Sequence, residues 1–141
     1  MILQEHLFNI MNNSVFQLVL ALTEGSVSKG RLWIETERIV ERDTRGNETG
    51  LVQVQIRIWD NGGGVKPDIL PQLGQLGFTT KSVNGSGYAL FAAREYFESV
   101  DGLITWENRD GGFLVEVSVP EFNAEIHGDK RFSLPKEGAD R

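Results

Sequence analysis

Between Arg31 and Trp59 the chain alternates apolar and polar residues on both sides of a polar interruption, a pattern that calls for a two-stranded hairpin. In "RLWIETERIV", Leu32, Ile34 and Thr36 point one way; in "LVQVQIRIW", Val52, Val54, Ile56 and Ile58 do the same. The intervening "ERDTRGNETG" is turn material. A sheet with one apolar face has to be covered, and the flanking sequence supplies the cover. Leu3, Leu7, Ile10, Ser14, Leu18 and Leu22 share one face of a helix that stops at "TEGS", at Gly25. "SGYALFAAREYFESV" is helical as well, with Leu90, Ala93 and Phe97 on one face. "GLITWEN" and "GFLVEVSVP" form a second hairpin through "RDGG", and Pro67 opens a short helix reaching Leu73. The order helix, two strands, short helix, loop, helix, two strands predicts an α+β fold of two layers, with an antiparallel or mixed sheet and helices on one face. Residues 1–120 form the folded domain, and the stretch from Glu121 to Arg141, without period and of mixed charge, is a loosely attached tail or linker.

At 141 residues the chain is long enough for one domain with a core, and 40% apolar residues place it among globular rather than disordered chains. A formal charge of −6 argues against a nucleic-acid partner, so any phosphate ligand needs local help from a helix N-terminus, a lysine or a metal. The absence of cysteine excludes disulfides, thiolate metal sites and a cysteine nucleophile, and fits a reducing cytoplasm. No apolar run approaches the ~20 residues of a bilayer span, so direct membrane insertion is not expected. "MILQEHLFNIMNNS" carries Glu5, His6 and several asparagines and does not read as a signal peptide.

Three clusters bear chemistry. On the first helix His6, Asn9, Asn13 and Gln17 form a stripe beside the apolar face, with Asn12 pointing elsewhere. Amide oxygens one turn apart suit Mg²⁺; the plainer alternative is a polar border between core and solvent. In "IRIWDNGGGV" the carboxylate of Asp60 ends a strand and three glycines follow. A fixed carboxylate accepts hydrogen bonds, which matches an exocyclic amine such as that of adenine, whereas "DNGG" is also good turn chemistry in its own right. In "NGSGYAL" glycines precede a helix whose first N–H groups attract phosphate, or merely start it.

Taken in order, the asparagines of the first helix, "DNGGG" after a strand, "GFTTKS" and "GSG" before a helix resemble the ATP-binding catalytic domain of sensor histidine kinases, closest to the nitrogen-regulation branch. These kinases belong with gyrase, the Hsp90 chaperones and the MutL repair proteins in one ATPase group. The resemblance spans roughly Leu3 to Pro120 and implies a Bergerat-type two-layer α/β sandwich with a mixed sheet. Because the chain begins on its first helix, an upstream strand is expected to be missing, as in an excised fragment of a longer kinase that is itself anchored elsewhere. Residue by residue, the resemblance implies Mg²⁺ at Asn13, with Asn9 near the phosphates. It gives Asp60 the adenine amine, and makes Gly62 and Gly64 walls of the base pocket. Phe78, Thr79, Thr80 and Lys81 become an ATP lid with Lys81 as its cation, and Gly85, Ser86, Gly87, Tyr88 and Ala89 the glycine box at the triphosphate. An amide at Asn9, where the hydrolases of the group carry a glutamate, is no general base and favours kinase over hydrolase. The implied reaction moves the γ-phosphoryl group of Mg-ATP to a histidine on a separate dimerisation domain, with a response regulator downstream. Neither His6 nor His127 has the setting of that acceptor; His6 reads as a polar border residue. Phe16 stands where the family has a phosphate-facing lysine or arginine, and Tyr88 and Ala89 replace a usual leucine and glycine. These departures keep open a degenerate nucleotide- or partner-binding module without kinase activity, and a serine kinase of the anti-sigma type, which shares the site and differs in its acceptor, is a further alternative.

Overall fold

The computed structural model describes residues 3–75 and 86–121, apart from the side chains of residues 86–88. Its elements are α1 (Leu3–Glu24), β1 (Leu32–Arg42), β2 (Glu48–Asp60), a 3₁₀ turn (Leu70–Gln72), α2 (Ser86–Ser99), β3 (Leu103–Arg109) and β4 (Gly112–Pro120). The strands make one sheet in the order β1-β2-β4-β3. The two-layer α+β architecture is the expected one, but every pairing is antiparallel, so the sheet is not mixed. Two hairpins supply two of the pairings, and β4 returns beside β2 running against it, which leaves no parallel neighbour.

The register decides what faces the helices. Ile56 lies opposite Val117, and Val117 opposite Ile104; Ile58 lies opposite Val115. Ile10 of α1, Ala93 and Phe97 of α2, and Val100 just beyond it close on this patch as one buried cluster. Both helices end in the same way. Gly25, with φ +78°, gives its N–H to the Leu22 carbonyl at 3.2 Å while Ser26 reaches back to Ala21 at 3.0 Å. Asp101 and Gly102 repeat the arrangement on Glu98 and Phe97. Such paired bonds satisfy the last carbonyls of a helix and fix where the chain leaves it.

Three expectations are corrected. The buried residues of α1 are His6, Ile10, Ser14, Leu18 and Ala21, so the inward stripe turns toward Ala21 and leaves Leu22 exposed. His6 is no border residue: it is only 3% exposed and stacks on Tyr96 of α2 with ring centroids 4.7 Å apart. A flat neutral imidazole fills the crossing of the two helices, and burial lowers its pKa from the usual 6.5. The short helix from Pro67 to Leu73 shrinks to one 3₁₀ turn, because Pro71 has no N–H to extend the turn that Ile69 and Leu70 make on the Lys66 carbonyl. β1 differs in cover too. The helices lie over β2, β4 and β3, and Ile34, on the same sheet face as Ile58, remains 52% exposed.

Candidate functional site

β2 places its last residue, Asp60, on the helix-covered face, two residues beyond Ile58. The side chain is 2% exposed. Its Oδ1 accepts the Gly62 N–H at 2.9 Å, whereas Oδ2 is buried and has no hydrogen-bond partner among the described residues. Burial pushes the carboxyl above its ordinary pKa, opposed by the Gly62 N–H and, more weakly, by the nearby Ser14 hydroxyl and Phe113 N–H. Those last two act by proximity, since neither completes a well-aligned bond to Oδ2.

The backbone around Asp60 is held from both sides. Asn61 accepts the Arg31 N–H at 2.7 Å and donates to the Lys29 carbonyl at 2.8 Å, tying the loop to the entry of β1. The β3–β4 turn lies flat on the other side: a Cβ on Gly112 would fall 1.5 Å from the Asp60 carbonyl oxygen. Gly63 gives its N–H to the Gly111 carbonyl at 2.8 Å. Gly64, with φ +74°, passes so close to Asn108 that a Cβ would stand 2.6 Å from its Oδ1. The glycines after Asp60 therefore answer first to packing of the protein on itself. Gly64 does line the cavity described next; Gly62 lies instead between Asp60 and the backbone of Gln17.

Asp60 opens into a cavity of ≈ 230 Å³. Helix α1 contributes Asn13, Ser14 and Gln17; the loop after β2 contributes Gly64, Val65, Lys66, Ile69 and Leu73; Leu90 of α2 and Phe113 of β4 complete the lining. Apolar walls with one orphaned carboxylate oxygen at the back suit a flat ring bearing a hydrogen-bond donor. Pockets for whole drug-sized ligands start at about 300 Å³, so this one takes a ring and leaves the remainder of a larger ligand outside.

Of the residues singled out from sequence, Asn13, Asp60 and Gly64 meet in this cavity. Asn9 does not line it; it borders a separate shallow depression with Gln4, Glu5 and Phe8. Ser86, Gly87 and Tyr88 form the first turn of α2, and Ala89, partly exposed, stands next to the lining residue Leu90. Phe78, Thr79, Thr80, Lys81 and Gly85 lie outside the described residues, as do His127 and the tail beyond Glu121. Sequence reading missed Val65, Lys66, Ile69, Leu73 and Phe113 as lining residues. Ser14 carried a legible sign, a hydroxyl in the middle of an apolar helical stripe. Among the described residues no group of three or more His, Asp or Glu is placed to hold a metal ion, and Asn13 offers a single neutral amide oxygen. No described helix is long and apolar enough to cross a membrane.

Residues 2–123 match the family described as "Histidine kinase-, DNA gyrase B-, and HSP90-like ATPase", and the chain belongs to that family. Comparison with curated proteins finds no match. Among solved structures, the mycobacterial sensor histidine kinase MprB is 17% identical over 77% of this chain and 72% of its own, with a TM-score of 0.50, a likeness of fold. The catalytic domain of the histidine kinase ThkA, in a nucleotide-free form, is 22% identical over 77% of this chain, with a TM-score of 0.48. The matched part of this chain spans 66% of the length of that ThkA domain.

Proposed function

We propose that the cavity receives the adenine ring of ATP and that this domain is the catalytic part of a two-component histidine kinase. In this reading it passes the γ-phosphoryl group to a histidine on a separate dimerisation domain, from which a response regulator is served. The observation that carries the reading is Asp60: a carboxylate oxygen, buried and without a hydrogen-bond partner among the described residues, at the back of an apolar slot. The exocyclic amine of adenine would satisfy it, while guanine would present a carbonyl oxygen to the same acceptor. Val65, Ile69, Leu73, Leu90 and Phe113 hold the ring and keep water from competing for Asp60. Leu90 lines the cavity one turn into α2, which supports assigning the phosphates to the N-terminal N–H groups of that helix, starting at Ser86. Lys81 and the glycines Gly85 and Gly87 are proposed as the remaining phosphate contacts. The Asn13 amide oxygen would hold Mg²⁺, which would supply positive charge against the phosphates.

Calorimetric titration with ADP and a non-hydrolysable ATP analogue, each with and without Mg²⁺, tests the reading. Binding that tightens with Mg²⁺ is expected. In Asp60→Asn a hydrogen bond to a charged acceptor is lost, and ADP affinity should fall by roughly tenfold or more. Unchanged affinity in that variant removes Asp60 from base recognition. A second reading, nucleotide binding without phosphoryl transfer, draws on Asn9 lying outside the cavity. Phosphate transfer to an added histidine domain would exclude it.

A further inference from the structure

We propose that Asn108, on the edge strand β3, is a positioning residue that sets how tightly the cavity holds its base. This rests on the adenine reading above and goes beyond it. The stretch from Gly64 to Gly74 supplies five of the eleven residues that line the cavity, yet its regular structure is one 3₁₀ turn. A wall of that kind keeps its shape only if something outside pins it. Two residues of β3 do so, one at each end: Trp106, half-buried, and Asn108, exposed.

At the first end, Asn108 Oδ1 accepts the Val65 N–H at 2.8 Å, and its Nδ2 donates to the Val65 carbonyl at 2.6 Å. Both polar groups of the Val65 backbone are thus satisfied by one side chain. At the other end, Gly74 has φ +82° and rests on Trp106, whose ring carbons a Cβ would meet at 2.5 Å. Arg94 of α2 caps the same ring, its guanidinium 4.6 Å from the ring centroid. Alternate residues of a strand share a face and stand roughly 7 Å apart, so Trp106 and Asn108 grip an arch of chain much longer than the gap between them. The inner side of that arch carries Val65, Ile69 and Leu73.

The chemistry suits a carboxamide, which offers its acceptor and its donor on two separate atoms. Val65 presents a donor and an acceptor together, and only a side chain with one of each answers both. Aspartate can accept the N–H but cannot donate to the carbonyl. The clamp acts on the apolar wall and leaves the Asp60 hydrogen bonds untouched, so it should govern affinity without changing which base is chosen.

The test uses Asn108→Ala and Asn108→Asp in the full chain, with two readouts. In the ligand-free protein, amide exchange at Val65 should speed up about tenfold in Asn108→Ala and stay near wild type in Asn108→Asp, with the core amide of Val117 unchanged in both. By calorimetry, ADP affinity should fall about tenfold in Asn108→Ala and by less in Asn108→Asp, while the ADP-to-GDP preference holds. Unchanged Val65 exchange, or unchanged ADP affinity, in folded Asn108→Ala overturns the proposal. So does faster exchange at Val117, which would reduce Asn108 to general scaffolding. If the wild-type chain binds no ADP, the adenine reading and the affinity role fall together, and Val65 exchange alone then decides whether the clamp exists.

Discussion

Asp60 and His6 are buried titratable residues whose pKa values move so as to favour the neutral form in each case, with opposite consequences for stability. Burial raises the Asp60 pKa above 3.8. Its contribution to stability is therefore complete below the unfolded value and is lost as pH rises through the folded value. Ionising Asp60 in the free domain thus costs stability, and Asp60→Asn, whatever it does to ligand, should not lower the melting temperature. In the proposed adenine reading binding runs the other way, because an ionised Asp60 is the stronger acceptor for the amine. ADP affinity should fall on acidification at a higher pH than an ordinary carboxylate would dictate, and the step should vanish in Asp60→Asn; calorimetry over a pH series reads it. For His6 the folded pKa lies below 6.5, so stability is full above 6.5 and is lost as pH falls toward the lower folded value. Urea midpoints at pH about 7.5 and about 5.5 should differ more in the wild type than in His6→Leu.

The elements meet through glycine. Gly112→Ala would drive a methyl into the Asp60 carbonyl, and a loss of about 3 kcal/mol or more, read by urea unfolding, is expected. Gly64→Ala adds strain at φ +74° and displaces Asn108; it should cost on the order of 1–3 kcal/mol and also weaken ADP binding. What was legible from sequence follows the same division between local and distant causes. The helices, both hairpins and Asp60 at a strand end are written in periods and turn residues, so they could be read directly. His6 could not, because nothing near it announces Tyr96 of α2 as its stacking partner. Phe113 comes to the site through the β2–β4 register, in which Trp59 already pairs with Leu114, and Asn108 through its bonds to Val65, 43 positions earlier in the chain. The glycines after Asp60 are legible as a place of close backbone approach, but their neighbours in the fold, Gln17 for Gly62 and Asn108 and Gly112 for Gly64, are not, because those lie far away in the chain.

For the molecule as a whole, a ligand that binds only the folded state stabilises it by mass action. ADP at one hundred times its dissociation constant contributes about 2.7 kcal/mol, which for a domain of this size raises the melting temperature by roughly 5–10 °C; GDP at the same concentration should leave it unchanged. The site that drives this shift is drawn from α1, β2, α2 and β4 together, so no single hairpin or helix holds it. The strand β2 joins the two ends of this economy. It runs 13 residues from Glu48 to Asp60, some 40 Å, with its far end in an exposed turn at residues 43–47 and its near end in the cavity. Because side chains alternate along it, the strand carries phase as well as position. A tag or reporter spliced into the turn changes neither, whereas one residue gained or lost between Leu51 and Trp59 would swap the places of Trp59 and Asp60. The domain thus offers protein engineers a safe joint and a forbidden one on the same strand.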